Sequence, residues 1–241
     1  MRILVTRPEP DASLTAERLR AMGYEVLVAP MLETVFLTDP LDDSHEGDFV
    51  VTSRNSVRAL AKLTNQATRE TVTLYTVGDA TAALARDAGF KHIRSASGTV
   101  DDLVVLIGVA NARDSKQLTY VCGRDRKGRL EDKLQVKGWQ VNVAVCYYSD
   151  PVDHFSPDIL GAFKDQTIDA VLLYSNRTAE AFKAFIEQHD LSQSANLMRF
   201  FCLAKSIESV FDRSGKIQLI VVEKPNEQSM FDALAQYQND G

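Results

Sequence analysis

Six short polar segments hold the residues of this 241-residue chain best suited to chemistry, and each follows an apolar run. The segments are 6–8, 52–57, 78–81, 123–129, 174–178 and 204–207. Each then enters an amphipathic helix pattern, which places backbone N–H groups and polar side chains at a helix start. Helix starts attract anions, and hydroxyl and basic side chains add to this attraction. The sequence therefore predicts an anion-binding site, with the candidate residues Thr6, Arg7, Ser53, Arg54, Asn55, Gly78, Arg124, Arg126, Ser175, Asn176, Lys205 and Ser206.

The hydroxyl side chains in these segments also have a purely structural interpretation. Serine and threonine cap the exposed N–H groups of a helix start, and this explains Ser53, Ser56, Thr81, Ser175 and Thr178 without any ligand. Both interpretations stay open for each of these residues. As a set, however, they indicate helix starts that face one cleft, an arrangement suited to binding an anion.

The strongest concentration of positive charge lies at residues 124–129, which read Arg-Asp-Arg-Lys-Gly-Arg. A solvated loop explains such a segment as well as a ligand site does. The segment follows a predicted strand, on the side where Arg7, Arg54, Arg177 and Lys205 should also project. Such convergence would attract an anionic ligand despite the formal net charge of -6.

The usual enzyme signatures are absent from the sequence. It contains no GxGxxG fingerprint after a strand, no GxxxxGK[ST] phosphate loop, no GxSxG elbow and no histidine paired with a nucleophile. The four histidines and three cysteines lack metal-site spacing, so no metal is expected. Tyrosines and hydroxyls remain as possible acids. Tyr147 and Tyr148 stand out at the end of a repeat, where an aromatic pair can serve packing or catalysis.

Composition and charge narrow the class of protein and its compartment. The acidic net charge argues against a nucleic-acid partner. The N-terminal apolar run is too short for a signal peptide, and no run approaches the ~20 residues that span a membrane. Cys122, Cys146 and Cys202 lie in or beside apolar runs, which is typical of buried free thiols in a reducing compartment. We therefore expect a cytoplasmic protein without membrane contact.

A recurring strand–loop–helix pattern must position these segments. Four repeats combine an apolar run, a polar loop, an amphipathic helix and, in several cases, a glycine followed by an aromatic residue, as at Gly23-Tyr24 and Gly138-Trp139. Strands alternating with helices at this spacing predict an α/β fold with parallel sheets flanked by helices. The internal similarity predicts two related lobes rather than one long sheet.

Two extended, proline-bearing stretches suggest where the lobes meet in sequence. They lie at residues 30–39 and 143–152 and contain Pro30 and Pro151. We expect residues 1–35 plus 152–241 to form a discontinuous first lobe and residues 40–146 to form a second. The linkers would lie near residues 36–39 and 147–151.

The order and spacing of these motifs resemble the uroporphyrinogen-III synthase family over nearly the whole chain. The matching elements are VTRP at 5–8, VTSRNSV at 51–57, VGDATA at 77–82, Gly123-Arg124, the Gly138 turn with residues 145–147 behind it, and Tyr174-Ser175. The resemblance implies a monomeric enzyme without a cofactor, built from two flavodoxin-like lobes that a two-stranded linker joins. It also implies the reaction of that family, a carbon–oxygen lyase: cyclisation of the linear tetrapyrrole polycarboxylate hydroxymethylbilane to uroporphyrinogen III, with inversion of the last pyrrole ring and loss of water.

The resemblance also assigns roles to individual residues. Tyr147 matches the tyrosine preferred as proton donor, and Thr81 matches a threonine of the glycine-containing loop; both are candidate catalytic residues. Ser53 and Ser175 match serines of the family's cleft, and Arg7 matches the family's opening arginine. The segment 204–207 departs from the family, which often has a glycine and paired threonines there, whereas this chain keeps only the hydroxyl of Ser206.

The resemblance leaves other classes of protein to be weighed. A two-lobed receptor for a small anion or a sugar is the main alternative, although such receptors usually carry a signal peptide. A flavodoxin-like signalling domain would need an acidic cluster after the first strand, where this chain has Thr6-Arg7-Pro8. A nucleotide-dependent enzyme would need a glycine fingerprint that is missing.

Overall fold

The computed structural model describes residues 1–38, 41, 47–109, 116–126, 128–211 and 217–240. These residues form two compact units: Met1–Thr34 with Asp150–Gly241, and Val35–Ser149. In the described ranges the strands are β1 (Arg2–Val5), β2 (Glu25–Val28), β3 (Leu32–Phe36), β4 (Asp48–Val51), β5 (Thr73–Thr76), β6 (His92–Ser95), β7 (Gln117–Gly123), β8 (Gln140–Pro151), β9 (Ala170–Leu173), β10 (Arg199–Cys202) and β11 (Gln218–Val221).

Helices alternate with these strands in both units. They are α1 (Asp11–Ala21), α2 (Arg54–Leu63), α3 (Gln66–Thr71), α4 (Asp79–Asp87), α5 (Val100–Val109), α6 (Leu130–Gln135), α7 (Pro157–Lys164), α8 (Asn176–Gln188), α9 (Ser192–Leu197), α10 (Lys205–Glu208) and α11 (Glu227–Asp240). None of the helices in the described ranges has the length and apolar character needed to cross a bilayer.

The first unit is a five-stranded parallel sheet with the order β11-β10-β9-β1-β2. All four residues of β9 are buried, as expected for a parallel strand covered on both faces. One face packs on a phenylalanine-rich core that includes Phe163, Phe182 and Phe200. The other face packs on α1 and α11, through residues such as Leu19 and Leu234.

The second unit holds a six-stranded sheet with the order β3-β8-β7-β4-β5-β6. Strands β8, β7, β4, β5 and β6 are parallel to one another. Separate cores cover its two faces, one around Phe49, Leu60 and Phe90 and one around Tyr120 and Trp139. The predicted α/β class with helix-flanked parallel sheets is confirmed.

The chain passes from one unit to the other within strands β3 and β8, which are neighbours in the six-stranded sheet. The segment 147–151, expected as a linker, is therefore the last part of a twelve-residue strand. That each unit is an independently folding lobe, with the bounds given above, stays a prediction. Residues 39 and 40 of the first linker lie outside the described ranges.

Each sheet has one point at which the direction of strand addition reverses. In the first unit it lies between β1 and β9, and in the second between β4 and β7. In open parallel sheets, ligands bind beyond the carboxyl ends of the strands at this point. The loops that leave these ends begin at Thr6, Tyr174, Thr52 and Arg124, and all four belong to segments selected from the sequence.

Candidate active site

A chain of three hydroxyl groups lies in the second unit, beyond the carboxyl end of β4 and beside the last residue of β7, with one member on β8. The Tyr147 hydroxyl lies 2.8 Å from Ser53 Oγ, and Ser53 Oγ lies 3.0 Å from Ser56 Oγ. Ser53 is the N-cap of α2, because its Oγ accepts a hydrogen bond of 3.0 Å from the Ser56 backbone N–H. The start of α2 therefore holds one end of this chain of hydroxyl groups, and the half-buried phenol of Tyr147 forms the other end.

A one-residue register shift between β7 and β8 sets the position of Tyr147. Cys122 pairs with Val145, whereas the next residue, Gly123, pairs with Tyr147. Such a shift re-aims the side chains that follow it. Only a glycine fits at position 123 beside the phenol, because a Cβ there would lie 2.7 Å from Tyr147 Cε2 and 2.9 Å from Cζ.

Tyr147 and Tyr148 have different partners. The Tyr147 ring packs 6.2 Å from the Phe36 ring, while the Tyr148 ring carries the Arg124 guanidinium 4.4 Å from its centre. The Arg124 N–H also donates to the Tyr147 carbonyl at 2.8 Å. These contacts fix the start of the basic segment 124–129 next to the hydroxyl chain.

Acidic neighbours offset much of the charge of the basic segment. Arg126 Nη2 pairs with Glu131 Oε1 at 3.0 Å, and Arg129 Nε pairs with Asp132 Oδ2 at 2.8 Å. Arg124 Nε lies 3.7 Å from Asp125 Oδ2, an exposed pair that contributes little. Lys127 lies outside the described residues. Among the basic side chains described here, Arg124 is the one held against the tyrosine pair.

The glycine-containing loop after β5 supplies a second helix start in this unit. Gly78 is the N-cap of α4, and its carbonyl accepts from the N–H groups of Thr81 and Ala82. Thr81 is buried in the first turn of the helix. Ser97 and Ser95 donate to Asp79 Oδ1 at 2.7 and 2.8 Å, and these hydrogen bonds lower the pKa of the Asp79 carboxyl.

Arg54 and Asn55 occupy the first turn of α2, directly after the Ser53 cap. Both side chains are half-buried, and Asn55 Oδ1 accepts from Arg58 Nη1 at 2.7 Å. They thus lie beside the hydroxyl chain at the same helix start.

In the first unit, the side chains of Thr6 and Arg7 are turned into the protein interior. Thr6 Oγ1 donates to the Leu172 carbonyl at 2.6 Å. Arg7 donates to Glu227 Oε1 at 2.8 Å, and its guanidinium lies 4.1 Å from the centre of the Tyr174 ring. Burial, followed by the Glu227 carboxylate, raises the pKa of the Tyr174 phenol.

These internal contacts occupy the polar groups of Thr6 and Arg7, and the expected contact of these side chains with a ligand stays a prediction. The Arg7 side chain is 9% exposed and Thr6 is fully buried, so neither polar group is presented to solvent. The physical reason is the half-buried carboxylate of Glu227, which also pairs with Arg18 and needs nearby cations.

The other first-unit candidates do lie together at the surface. Ser175 is the N-cap of α8, and its Oγ accepts from the Thr178 N–H at 3.1 Å. Asn176 Nδ2 donates to the Ser206 carbonyl at 3.0 Å, while Ser206 Oγ donates to Asn176 Oδ1 at 2.8 Å. Lys205, exposed, is the first residue of α10. The reciprocal hydrogen bonds between Asn176 and Ser206 join the loops that follow β9 and β10.

The structure divides the five predicted helix caps into two groups. Ser53 and Ser175 are N-caps, as predicted. The cap interpretation is wrong for Ser56, Thr81 and Thr178, because each lies inside the first turn of its helix, after another cap residue.

The remaining nucleophilic side chains are not activated. Burial raises the pKa of the Cys122 thiol and raises those of Cys146 and Cys202 to about 12. A thiol that stays protonated at neutral pH is a poor nucleophile. Within the described ranges, no group of three or more His, Cys, Asp or Glu residues is arranged to hold a metal ion.

Comparison with known proteins identifies the family. The family model described as uroporphyrinogen-III synthase HemD matches residues 13–232. This chain belongs to the uroporphyrinogen-III synthase family. A curated member, the uroporphyrinogen-III synthase of Saccharomyces cerevisiae, is 23% identical over an alignment of 211 residues, and the match covers 78% of this chain and 75% of the yeast protein.

Solved structures of family members share the fold. Uroporphyrinogen-III synthetase of Helicobacter pylori aligns with a TM-score of 0.65 and 16% identity over 98% of this chain and all of the other. A mutant uroporphyrinogen III synthase of Thermus thermophilus aligns with a TM-score of 0.58 and 14% identity over the full length of both chains. At these identities the similarity bears on the fold alone.

Two features of the candidate site in the second unit were not predicted from the sequence. One is the register shift that places Tyr147 opposite Gly123, which no local pattern signals. The other is the buried Ser56 hydroxyl next to Ser53. The i, i+3 spacing of the two serines across a helix start is the signal that was available for the second.

Proposed function

We propose that this chain converts hydroxymethylbilane to uroporphyrinogen III, closing the ring with inversion of the last pyrrole and releasing water. Membership of the synthase family, shown over residues 13–232, carries this proposal. The cluster of hydroxyl groups at Tyr147 supports it, since loss of the substrate hydroxyl as water needs a proton donor.

Tyr147 is the proposed donor of that proton. Its phenol gives the proton to the leaving hydroxyl oxygen, the carbon–oxygen bond breaks, and water departs with the bonding electrons. The cationic carbon left behind is then attacked by a pyrrole carbon of the same substrate molecule, and the proton lost when the pyrrole regains its aromaticity restores the phenol of Tyr147. A neutral phenol suits this step because it donates a proton only when the leaving oxygen is positioned against it.

The substrate carries several carboxylates, and we propose that the second unit binds part of them through Arg124 and the starts of α2 and α4. Arg54, Asn55, Gly78 and Thr81 lie at these starts, and Ser53 caps the first of them. In the first unit we keep Ser175, Asn176, Lys205 and Ser206 as ligand contacts, with Thr6 and Arg7 as weaker candidates. Arg126 stays a weaker candidate, because Glu131 already neutralises it.

The role of Tyr147 is tested by Tyr147→Phe, which keeps the ring and removes only the hydroxyl. We expect kcat for type III product to fall by about a hundredfold, within the usual range for general acid catalysis. The free energy of unfolding should fall by about 1 kcal/mol, since one hydrogen bond to Ser53 is lost.

Tyr148→Phe is the matched control on the next residue. It keeps the ring that carries the Arg124 guanidinium, so near-normal kcat and KM are expected. Normal type III formation by Tyr147→Phe would remove the phenol from the proposed mechanism, leaving conformational control of the substrate as the source of catalysis.

We further propose that the enzyme acts as a cytoplasmic monomer without a cofactor. The buried free thiols support a reducing compartment, and the family resemblance supports the monomeric, cofactor-free state. Light scattering of purified, dialysed protein, combined with the activity assay, tests both the mass of the active species and its need for an added factor.

A further inference from the structure

Ser56 has a buried hydroxyl that the proposed mechanism does not yet use. The residue is fully buried, in the first turn of α2, and its Oγ lies 3.0 Å from Ser53 Oγ. Among the described residues, Ser53 is its one side-chain hydrogen-bond partner. A buried hydroxyl that donates to nothing costs about 1–3 kcal/mol, so the direction of this hydrogen bond matters.

Counting donors and acceptors restricts the chain of three hydroxyls to two arrangements. A serine hydroxyl has one proton to donate and two lone pairs. One lone pair of Ser53 Oγ already accepts from the Ser56 backbone N–H. The remaining lone pair and the proton serve Ser56 Oγ and Tyr147 Oη, so Ser53 accepts from one of them and donates to the other.

The two arrangements differ in where the phenol proton points. If Tyr147 donates to Ser53, then Ser53 donates to Ser56, and the buried Ser56 proton has no acceptor among the described residues. If Ser56 donates to Ser53, then Ser53 donates to Tyr147 Oη, every buried proton is used, and the phenol proton of Tyr147 points away from the chain. The cost of an unpaired buried donor favours the second arrangement.

We propose that Ser56 is a positioning residue for the cyclisation: its buried hydroxyl donates to Ser53, Ser53 donates to Tyr147, and the phenol proton is thereby turned towards the substrate. This inference deepens the proposed function and rests on it. Ser56 does not touch the substrate and acts only through Ser53 and Tyr147. The dipole of α2 supports the same direction of donation. The positive end of this helix favours a lone pair of Ser53 Oγ, rather than its proton, facing the helix N–H groups.

Ser56→Ala tests the proposal with a small change. It removes one oxygen atom, and the backbone N–H that Ser53 caps is retained. Without Ser56 as donor, Ser53 can accept from the phenol. Ser53 and the substrate then compete for the proton of Tyr147. We expect kcat to fall about fivefold, the effect of one ordinary hydrogen bond, with KM within twofold of wild type.

The decisive comparison is the same substitution made in Tyr147→Phe. With no phenol proton to orient, Ser56→Ala should leave the residual kcat of Tyr147→Phe unchanged. An equal fall in kcat in both backgrounds would overturn the proposal, because it would show that Ser56 acts through the helix and not through Tyr147. An unchanged kcat of Ser56→Ala in the wild-type background would overturn it as well.

Two further measurements keep the test interpretable. Ser194→Ala removes a buried serine hydroxyl from α9 of the first unit, and its kcat should equal that of wild type. If Ser56→Ala does not fold, Ser56→Cys keeps a weak donor and should lose activity only where Tyr147 is present. A wild-type enzyme that forms no type III product would refute the proposed function itself, whereas normal activity of Tyr147→Phe would overturn the orientation of its proton.

Discussion

Gly123→Ala should impair the enzyme by displacing the Tyr147 ring, although it removes no polar group of the site. The added Cβ would lie 2.7 Å from Tyr147 Cε2, whereas ordinary contacts to a Cβ begin at 3.4 Å. The ring must therefore retreat by about 0.7 Å, the difference between these two distances. The hydroxyl is carried with the ring, and a shift of this size along its hydrogen bond to Ser53 would lengthen that bond from 2.8 Å to about 3.5 Å, beyond useful hydrogen-bond length.

The size of the effect follows from this displacement. A misplacement of about 1 Å at a reacting group costs roughly a hundredfold in rate, so kcat should fall by about thirtyfold or more. The free energy of unfolding should fall by about 1–3 kcal/mol, because the ring is overpacked against the strand. The register shift makes relief difficult, since Gly123 and Tyr147 are paired residues of adjacent strands.

The assay is initial-rate formation of type III product, with thermal unfolding measured on the same preparations. Gly161→Ala is the matched control, because a Cβ at this position of α7 meets nothing within 4 Å. It should keep full activity and gain about 0.5–1 kcal/mol of stability. Wild-type kcat in Gly123→Ala would refute the claim that Gly123 positions the phenol.

Three further predictions concern charge and architecture. Arg7→Met should lower the free energy of unfolding by about 3 kcal/mol and leave KM within twofold, because Glu227 loses a buried partner; a raised KM with unchanged stability would contradict this. Arg124→Ala should raise KM severalfold and weaken the salt dependence of KM, while Arg126→Ala changes KM less because Glu131 already pairs with Arg126; equal effects of the two variants would contradict this. Limited proteolysis should release a protected fragment close to residues 35–149, and cleavage spread evenly along the chain would contradict two independently folding units.

Much of the fold could be predicted because the strands are buried on both faces. Runs such as Ala170–Leu173 carry four apolar residues in succession, and the loops that follow them enter amphipathic helices. This pattern suffices for parallel strands connected by helices. The strand order is set by non-local pairing, which leaves no comparable trace in the sequence.

The site was predicted less completely, for reasons that individual residues show. Arg7 follows a strand as a ligand-binding arginine would, but Glu227, 220 positions away, holds it in the interior. Segment 124–129 reads as strongly positive in the sequence. In the structure, Glu131 and Asp132 of the next helix form ion pairs with it and neutralise part of that charge. Ser53 and Ser175 were recognisable because a helix cap is a local feature.

The central claim is tested most directly by the products that purified wild-type protein forms from hydroxymethylbilane. The substrate is supplied fresh and the reaction is quenched at early times. The products are then oxidised, and the type I and type III isomers are separated and quantified. We predict that type III product dominates and that its initial rate scales with protein concentration. Formation of type I product alone, at the rate seen without protein, would contradict the proposed function.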